Sequence, residues 1–361
     1  MGDRELQTDS QHFFALTPEE VLHGVEASGA RATGRCLQLN SYENRVYDVE
    51  IEEGTGPLEH LEKIRAVIPV MPNRLVAKFY RPGRWTREQI LEEHAFLNDL
   101  VENEIPAIPA IPFADGETLR ASPGSGIVYA LFPKVGGRSP DELNEDQLRQ
   151  VGRLIGRIHN IGSKRTATHR LELTPKTYGE RNLDFLLKGD WIPLPRRSRY
   201  AAAVQTLCAL SGPLFASAKM IRTHGDCHKG NLLWTSSQSS GSAFFLDFDD
   251  MVTAPAVQDL WMLVPGRDAL ARDDREILLE GYEEMRAFDR TESSLIEPLR
   301  ALRIVHFSTW IANRWNDPSF PRVFPSFNSE RYWEEETQAL EDIVAHLAAP
   351  GHDPDRGFAA H

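Results

Sequence analysis

Hydrophobic positions along the chain change period repeatedly, and each change marks a predicted element. Val21, Leu22 and Val25 share a helical face behind Thr17-Pro18-Glu19-Glu20, which reads as a capped helix start, with Gly29 beyond its end. Leu37 and Leu39, then Tyr47, Val49 and Ile51, alternate as in a β-hairpin. The intervening Asn40-Ser41-Tyr42-Glu43-Asn44 suits its turn, because such polar side chains hydrogen-bond to nearby backbone. Leu75-Val76-Ala77-Lys78-Phe79-Tyr80 predicts an apolar strand. Thr86-Arg87-Glu88-Gln89 is a capping box, and it opens the helical stripe Ile90, Leu97, Leu100 and Val101. Ile127-Val128-Tyr129-Ala130-Leu131-Phe132-Pro133 is a further apolar strand ending at Pro133, ahead of Gly136-Gly137.

Beyond that point helical periods dominate. Leu148, Val151, Leu154, Ile155 and Ile158 define a core helix ending near His159, whose imidazole suits packing or hydrogen bonding better than catalysis. Asn231-Leu232-Leu233-Trp234 and Ala243-Phe244-Phe245-Leu246 are short strands joined by a polar connection. Arg314-Trp315-Asn316-Asp317 and the stripe Trp333, Leu340, Ile343, Val344 and Leu347 read as later helices. Strands early and helices late give an α+β fold: an N-terminal antiparallel sheet lobe with a helix over residues 1–133, and a larger, mainly helical C-terminal lobe over 134–361. A segment at about 53–73 is inserted where a short turn between strands is expected. Pro57 to Arg65 is readable there as a short helix with Leu58, Leu61 and Ile64 inward, whose role is to gate ATP, to bind a regulator or, most simply, to decorate the sheet.

The chemistry concentrates in His224-Gly225-Asp226-Cys227-His228-Lys229-Gly230-Asn231, followed by Asp247 in Phe244-Phe245-Leu246-Asp247-Phe248-Asp249-Asp250. Phosphoryl transfer needs a carboxylate near the acceptor hydroxyl and oxygen ligands for the Mg²⁺ that bridges nucleotide phosphates. Asp226 supplies the first, and Asn231 and Asp247 the second. Gly225 and Gly230 permit tight turns on either side, and pairing of the two short strands brings Asp247 back beside Asn231. A lone Asp-Phe-Asp would be read as a solvated turn, but the octapeptide, the Asp-to-Asn spacing and the apolar strand are independent requirements.

A nucleotide site of this kind also needs a cation for the phosphates and a carboxylate to hold it. Lys78 lies inside an apolar strand, where an ammonium is expensive unless it points into a cleft or snorkels. Glu93 falls on the inward stripe of the helix opened by Thr86, whereas Glu88 and Glu92 can face water, so Glu93 is assigned to Lys78 with Glu92 as the alternative. The turn at 40–44 contains no glycine, and its backbone N–H groups with the Ser41 hydroxyl suit phosphate. Leu131, Phe132 and Pro133 have the character of a hinge whose backbone meets adenine.

The octapeptide with its following strand and Asp resembles the catalytic segment of the aminoglycoside phosphotransferase and choline kinase group, which shares the two-lobed protein-kinase-like fold. The blocks Val76-Ala77-Lys78-Phe79-Tyr80-Arg81-Pro82, Gln89-Ile90-Leu91-Glu92-Glu93-His94, Pro255-Ala256-Val257-Gln258-Asp259-Leu260-Trp261 and Trp310-Ile311-Ala312-Asn313-Arg314-Trp315-Asn316-Asp317-Pro318 are similar to the bacterial stress response kinase A family. That resemblance implies an ATP- and Mg²⁺-dependent Ser/Thr protein kinase of the cytoplasm that can autophosphorylate. By it Asp226 is the catalytic carboxylate, Asn231 and Asp247 are Mg²⁺ ligands, Ser41 is the ATP-loop or phosphorylated serine, and Asp259 braces the catalytic loop.

Composition narrows the alternatives. With 361 residues, 41% apolar and 26% charged, the chain has ample length for two lobes and a core. A formal net charge of −13 argues against nonspecific nucleic-acid binding, and neither charge nor pattern defines an oligomeric state. The three cysteines, Cys36, Cys208 and Cys227, are odd in number and irregularly spaced, which indicates neither a disulfide framework nor a zinc site. Cys227 adjoins Asp226, so its oxidation is one route to lost catalysis, and a small buried thiol that fits the loop is the simpler reading. No apolar signal segment opens the sequence and no run is long enough to span a bilayer, so no membrane and a cytoplasmic location are expected. A protein substrate with a Ser or Thr acceptor is the expected partner. The alternatives are a small-molecule alcohol kinase acting on choline, homoserine, a sugar or an aminoglycoside, and an ATP-binding pseudokinase scaffold.

Overall fold

The computed structural model describes residues 13, 16–57, 64, 68–235 and 242–349. In chain order, α1 (Pro18–Glu26) precedes β1 (Ala32–Leu39), β2 (Arg45–Ile51), β3 (Val70–Phe79), α2 (Arg87–Glu102), β4 (Arg120–Ala121) and β5 (Val128–Val135). Then come α3 (Glu145–Gly162), α4 (Arg181–Lys188), α5 (Leu194–Ser217), β6 (Met220–Thr223), β7 (Leu232–Trp234), β8 (Ala243–Phe245) and β9 (Val252–Pro255). The chain continues with α6 (Val257–Leu263), α7 (Ala269–Glu283), α8 (Ile296–Asn313), α9 (Phe320–Val323) and α10 (Glu330–Ala348). It forms two compact units: Met1–Leu143 with Thr168–Arg170 and Lys229–Met251, and Asn144–Ala167 with Leu171–His228 and Val252–His361.

The first unit is built on an antiparallel sheet in the order β1-β2-β3-β5-β4. Alternate residues of its inner strands, including Val49, Leu75, Ala77, Phe79 and Leu131, enter a core closed by Val21 and Val25 of α1. Each such aliphatic side chain contributes about 1.5–3 kcal/mol by leaving water. The capping box at Thr86 is formed in both directions: Thr86 Oγ1 accepts from the Gln89 N–H at 3.3 Å and Gln89 Oε1 from the Thr86 N–H at 2.9 Å. α2 then buries Ile90, Leu97 and Leu100, as the stripe requires.

Four details differ from the sequence pattern or extend it. Leu37 is 60% exposed, because β1 is an edge strand with a register irregularity between Ala32 and Cys36, and alternation fixes a period but not a face. β5 runs past Pro133 to Val135; β4 pairs only with Val128 and Tyr129, so the missing Pro133 N–H breaks no strand ladder. Arg314 to Asp317 is the turn after α8 rather than helix, and Asp317 accepts from the Ser319 N–H ahead of α9. Of the helix expected over 57–65, Leu58 and Leu61 lie outside the described residues, while Ile64 is buried in the sheet core.

The second unit is mainly helical around Tyr200, Leu207, Leu302, Val305, Trp333 and Leu340. The α+β class is thus borne out, with the antiparallel sheet in one unit and most helices in the other. Among the described residues, no helix is long and apolar enough to cross a membrane. At the α3–α7 crossing the two helix backbones approach closely through glycines. A Cβ on Gly152 would meet the Leu278 carbonyl oxygen at 2.1 Å, and one on Gly281 the Arg149 carbonyl oxygen at 2.0 Å. Rigid backbone on the far side cannot give way as a side chain could. Gly152→Ala is therefore expected to destabilise the protein by about 1–3 kcal/mol or more, measured as a lower denaturant midpoint, despite the better helix propensity of alanine.

Candidate active site

Ser41, Lys78, Glu93, Leu131, Phe132, Pro133, Asn231 and Asp247 fall in the first unit, and Asp226 in the second. In the first unit, β3 carries Lys78 inward, where its ammonium lies 3.6 Å from Glu93 Oε1, 3.3 Å from Asp247 Oδ1 and 3.0 Å from Asp249 Oδ1. Burial would push the lysine down, but Asp249, Glu93 and Asp247 hold it well above the ordinary lysine range. Glu93, the farthest of the three carboxylates, is pushed up to about 6 by burial, with Lys78 and then Arg170 pulling the other way.

Three further charged groups complete this cluster, and the sequence reading passed over all of them. Buried Asp249 pairs with Arg84 as well as Lys78, and accepts from Asn44 Nδ2 at 3.2 Å. Burial opposes its ionisation, but Arg84, Lys78 and Arg170 hold it well below the usual carboxylate range. Arg84 also pairs with Asp250. Arg170 donates to Glu93 Oε2 at 3.0 Å and to the Asp249 carbonyl at 2.5 Å. Glu92 lies elsewhere: its carboxylate accepts the backbone N–H groups of Thr168, His169 and Arg170. Asp249 was readable as the second acid of Asp-Phe-Asp, but the arginines reach it across long stretches of chain that no spacing rule links.

The glycine-free turn is held by side chains. Ser41 Oγ accepts from the Asn44 N–H at 3.2 Å, and Asn44 Oδ1 accepts from the Arg81 N–H at 3.2 Å. Arg81 donates to the Glu43 and Tyr42 carbonyls, each at 2.9 Å. Leu131, Phe132 and Pro133 lie buried on β5, opposite Ala77, Val76 and Leu75, and the Leu131 carbonyl accepts from the Ile111 N–H at 2.7 Å. His94, next to Glu93, faces Phe132 edge-on and is hydrogen-bonded to Tyr80 Oη at 3.0 Å and Thr118 Oγ1 at 2.8 Å.

Asn231 closes a short 3₁₀ turn before β7, and its carbonyl accepts from the Leu246 N–H at 2.8 Å, extending the β7–β8 pairing. Asp247 follows in a left-handed conformation, φ 59° and ψ 67°, with its side chain 56% exposed. For a non-glycine residue that backbone costs about 1–2 kcal/mol. No cluster of three or more His, Cys, Asp or Glu able to hold a metal occurs among the described residues. The donor set still fits Mg²⁺, because this hard ion takes one or two protein oxygens and completes its shell with phosphates and water.

In the second unit, β6 leads into the loop carrying Asp226. Asp259 braces that loop: Oδ2 accepts from the His224 N–H at 2.8 Å and Oδ1 from the Gly225 N–H at 2.9 Å. His159 Nε2 lies 3.0 Å from Asp259, and its Nδ1 3.0 Å from Tyr282 Oη. Asp226 stands between His228, 3.3 Å away, and Arg303 of α8, 3.0 Å away. Burial would raise its carboxyl, but His228 and Arg303 hold it well below the usual range. Cys227 is buried, and burial followed by Asp259 pushes its thiol up, so it is a closed, poorly nucleophilic group.

This arrangement is that of a phosphoryl-transfer fold. The chain belongs to the phosphotransferase enzyme family, whose sequence profile matches residues 37–295. It is 38% identical to stress response kinase A of Salmonella paratyphi A, over 94% of this chain and 95% of that protein. Serine/threonine protein kinase RdoA of Salmonella typhimurium and stress response kinase A of Escherichia coli K12 match with the same identity and the same coverage. Among solved structures, amicoumacin kinase in complex with AMP-PNP, Ca²⁺ and Ami superposes with a TM-score of 0.66, at 17% identity over 92% of this chain and 96% of that one. A microcompartment-associated aminopropanol kinase gives 0.59 at 17% identity, over 89% and 94%. These two likenesses establish the kinase-like fold.

His94 gives the described residues a pH dependence. Burial first, then Lys78 and Arg170, lower its pKa to about 3, so the folded state binds its proton far less readily than the unfolded chain. Stability is expected to fall as pH drops below about 6.5, by up to about 1.4 kcal/mol per pH unit from this group. Because Glu93, raised to about 6, opposes this trend over part of the same range, the His94 contribution is read as the difference between wild type and His94→Gln in denaturant titrations from pH 7 to 5, with the wild type losing more stability.

Proposed function

We propose that the chain transfers the γ-phosphoryl group of ATP to Ser or Thr hydroxyls of a protein, as a cytoplasmic stress-response kinase that also phosphorylates itself. The observation that carries this reading is the buried Lys78, held charged within 3.6 Å of Glu93 and 3.3 Å of Asp247, two carboxylates delivered by different elements. An ammonium fixed in this way suits the α and β phosphates of a nucleotide. The preference for a protein acceptor rests on a relative named a serine/threonine protein kinase that matches nearly the whole chain.

In this reading, Asp226 orients the acceptor hydroxyl. The hydroxyl oxygen attacks the γ phosphorus, the bond from that phosphorus to the β–γ bridging oxygen breaks, ADP departs, and the hydroxyl proton passes to Asp226. A carboxylate held below its usual range by His228 and Arg303 is a weak base, so the proton moves late and orientation is the larger contribution. Asn231 and Asp247 are the residues that would hold Mg²⁺, which would supply neutralisation of phosphate charge during transfer. Ser41 lies in the phosphate loop and is the self-phosphorylation site of this reading, whereas Leu131 to Pro133, expected as an adenine hinge, are strand residues whose Leu131 carbonyl is already taken by the Ile111 N–H.

Phosphate incorporation from γ-labelled ATP with Mg²⁺, alone and with a generic protein acceptor, tests the proposal. Asp226→Ala is expected to lower labelling about 10²–10⁴-fold, with binding of Mg-ATP retained as the check that the variant is folded. Lys78→Ala should weaken nucleotide use as well, and Ser41→Ala should remove only the self-label. Labelled small alcohols with unlabelled protein would replace the protein acceptor by an alcohol, and failure to bind Mg-ATP would leave a scaffold.

A further inference from the structure

Arg303 is the one cation on α8 that reaches Asp226, and nothing in the transfer chemistry itself requires it. Its Nη2 lies 3.0 Å from Asp226 Oδ1, its Nη1 lies 3.8 Å from the soft Met262 sulfur, and 42% of its side chain is exposed. A guanidinium used in this way keeps part of its planar donor fork open to solvent beside the acceptor carboxylate.

The surroundings strengthen the cationic character. One turn earlier Arg300 packs over Trp261, the neighbour of Met262. Burial first, then Arg267 and Arg275 with Glu297 opposing them, lower the Arg300 pKa. Glu297, the carboxylate of this part of α8, is engaged by Arg267 and Arg300. Asp259 is engaged by His159 and by the His224 and Gly225 N–H groups. Among the described residues, Asp226 is the carboxylate that Arg303 pairs with. On a chain whose net charge is −13, this is a local reversal of sign.

We propose that Arg303 makes the acceptor position select a hydroxyl that carries an anionic group beside it, such as a serine flanked by Asp, Glu or a phosphorylated residue. The inference rests on the reading of Asp226 as the acceptor carboxylate. As the hydroxyl hydrogen-bonds to Asp226, the open side of the guanidinium pairs with the neighbouring carboxylate or phosphate, a bidentate match that its geometry favours. A cationic alcohol meets the same guanidinium as a like charge, and among the described residues no second carboxylate is ion-paired with Arg303 to offset it. Arg303 is thus a specificity-determining residue. Simple positioning of Asp226 is the competing role, and it would leave acceptor preference unchanged.

Two serine peptides of identical sequence, except for Asp or Lys on both sides of the serine, separate these roles. kcat/KM is measured at fixed ionic strength for the wild type, Arg303→Gln and Arg303→Glu, with Asp226→Asn as the reaction control. Glycerate, glycerol and choline serve as anionic, neutral and cationic alcohols. The wild type is expected to favour the Asp peptide about tenfold or more, Arg303→Gln to bring the two near parity, and Arg303→Glu to reverse the order. Phosphorylation of glycerate but neither peptide, with the same dependence on Arg303, would support the anionic acceptor and end the protein reading. An equal loss on both peptides in Arg303→Gln, with the wild-type ratio kept, would overturn the inference and leave the kinase reading standing. Preference for choline would overturn both, and transfer that survives Asp226→Asn would remove the premise.

Discussion

The first unit depends on keeping Lys78 charged inside a protein. An ammonium with 7% exposure is stable there only because Asp249, Asp247 and Glu93 lie within ion-pair distance. Those carboxylates come from α2 and from the segment after β8, so the ion cluster joins β3, α2 and the β7–β8 hairpin. Removing one member of such a set strands the others and costs about 3–5 kcal/mol, far more than a surface pair contributes. Arg84 and Arg170 add two further cations, which pair with Asp249 and Glu93 of this set. Fine geometry matters here more than hydrophobic area, because charge balance fails with a single misplaced group.

The second unit solves a related problem with hydrogen bonds. A loop that must turn sharply leaves backbone N–H groups without strand partners, and Asp259 accepts two of them, from His224 and Gly225. His159 in turn orients Asp259 and is itself held by Tyr282. Asp226 is thereby presented from a rigid base, and its charge is set by neighbours on two elements, His228 of its own loop and Arg303 of α8.

How much of this was legible in the sequence depended on the range of each interaction. Local rules worked well. The capping box at Thr86 fixed the phase of α2, and that phase put Glu93 on the buried side. Lys78 stood out because charge is rare inside an apolar strand. Long-range pairings left no such trace: Arg84 with Asp249, Arg170 with Glu93 and Arg303 with Asp226 are separated by many elements, and each arginine reads as an ordinary surface residue. Leu37 shows the same limit at short range, since an edge strand keeps its period while turning a leucine to solvent. The left-handed backbone of Asp247 was equally hidden, because side-chain type does not report a strained φ.

The acceptor question turns on charge rather than on fold. Kinase-like folds host transfer to many hydroxyls, so likeness of fold to enzymes named for small amine-bearing ligands leaves the acceptor open. A site that takes a cation needs carboxylates beyond the one that meets the hydroxyl. Around Asp226 the neighbours run the other way, with a guanidinium and an imidazole on either side of the carboxylate. If Asp226 takes the hydroxyl proton, as proposed, lowering its basicity is a cost in catalysis, because a general base tuned for speed would sit nearer neutrality. A cation that remains partly open to solvent at that position offsets the loss if it also binds the substrate. On the proposed reading its charge does two things at once: it favours the ionised form of Asp226, and it restricts which hydroxyls reach it.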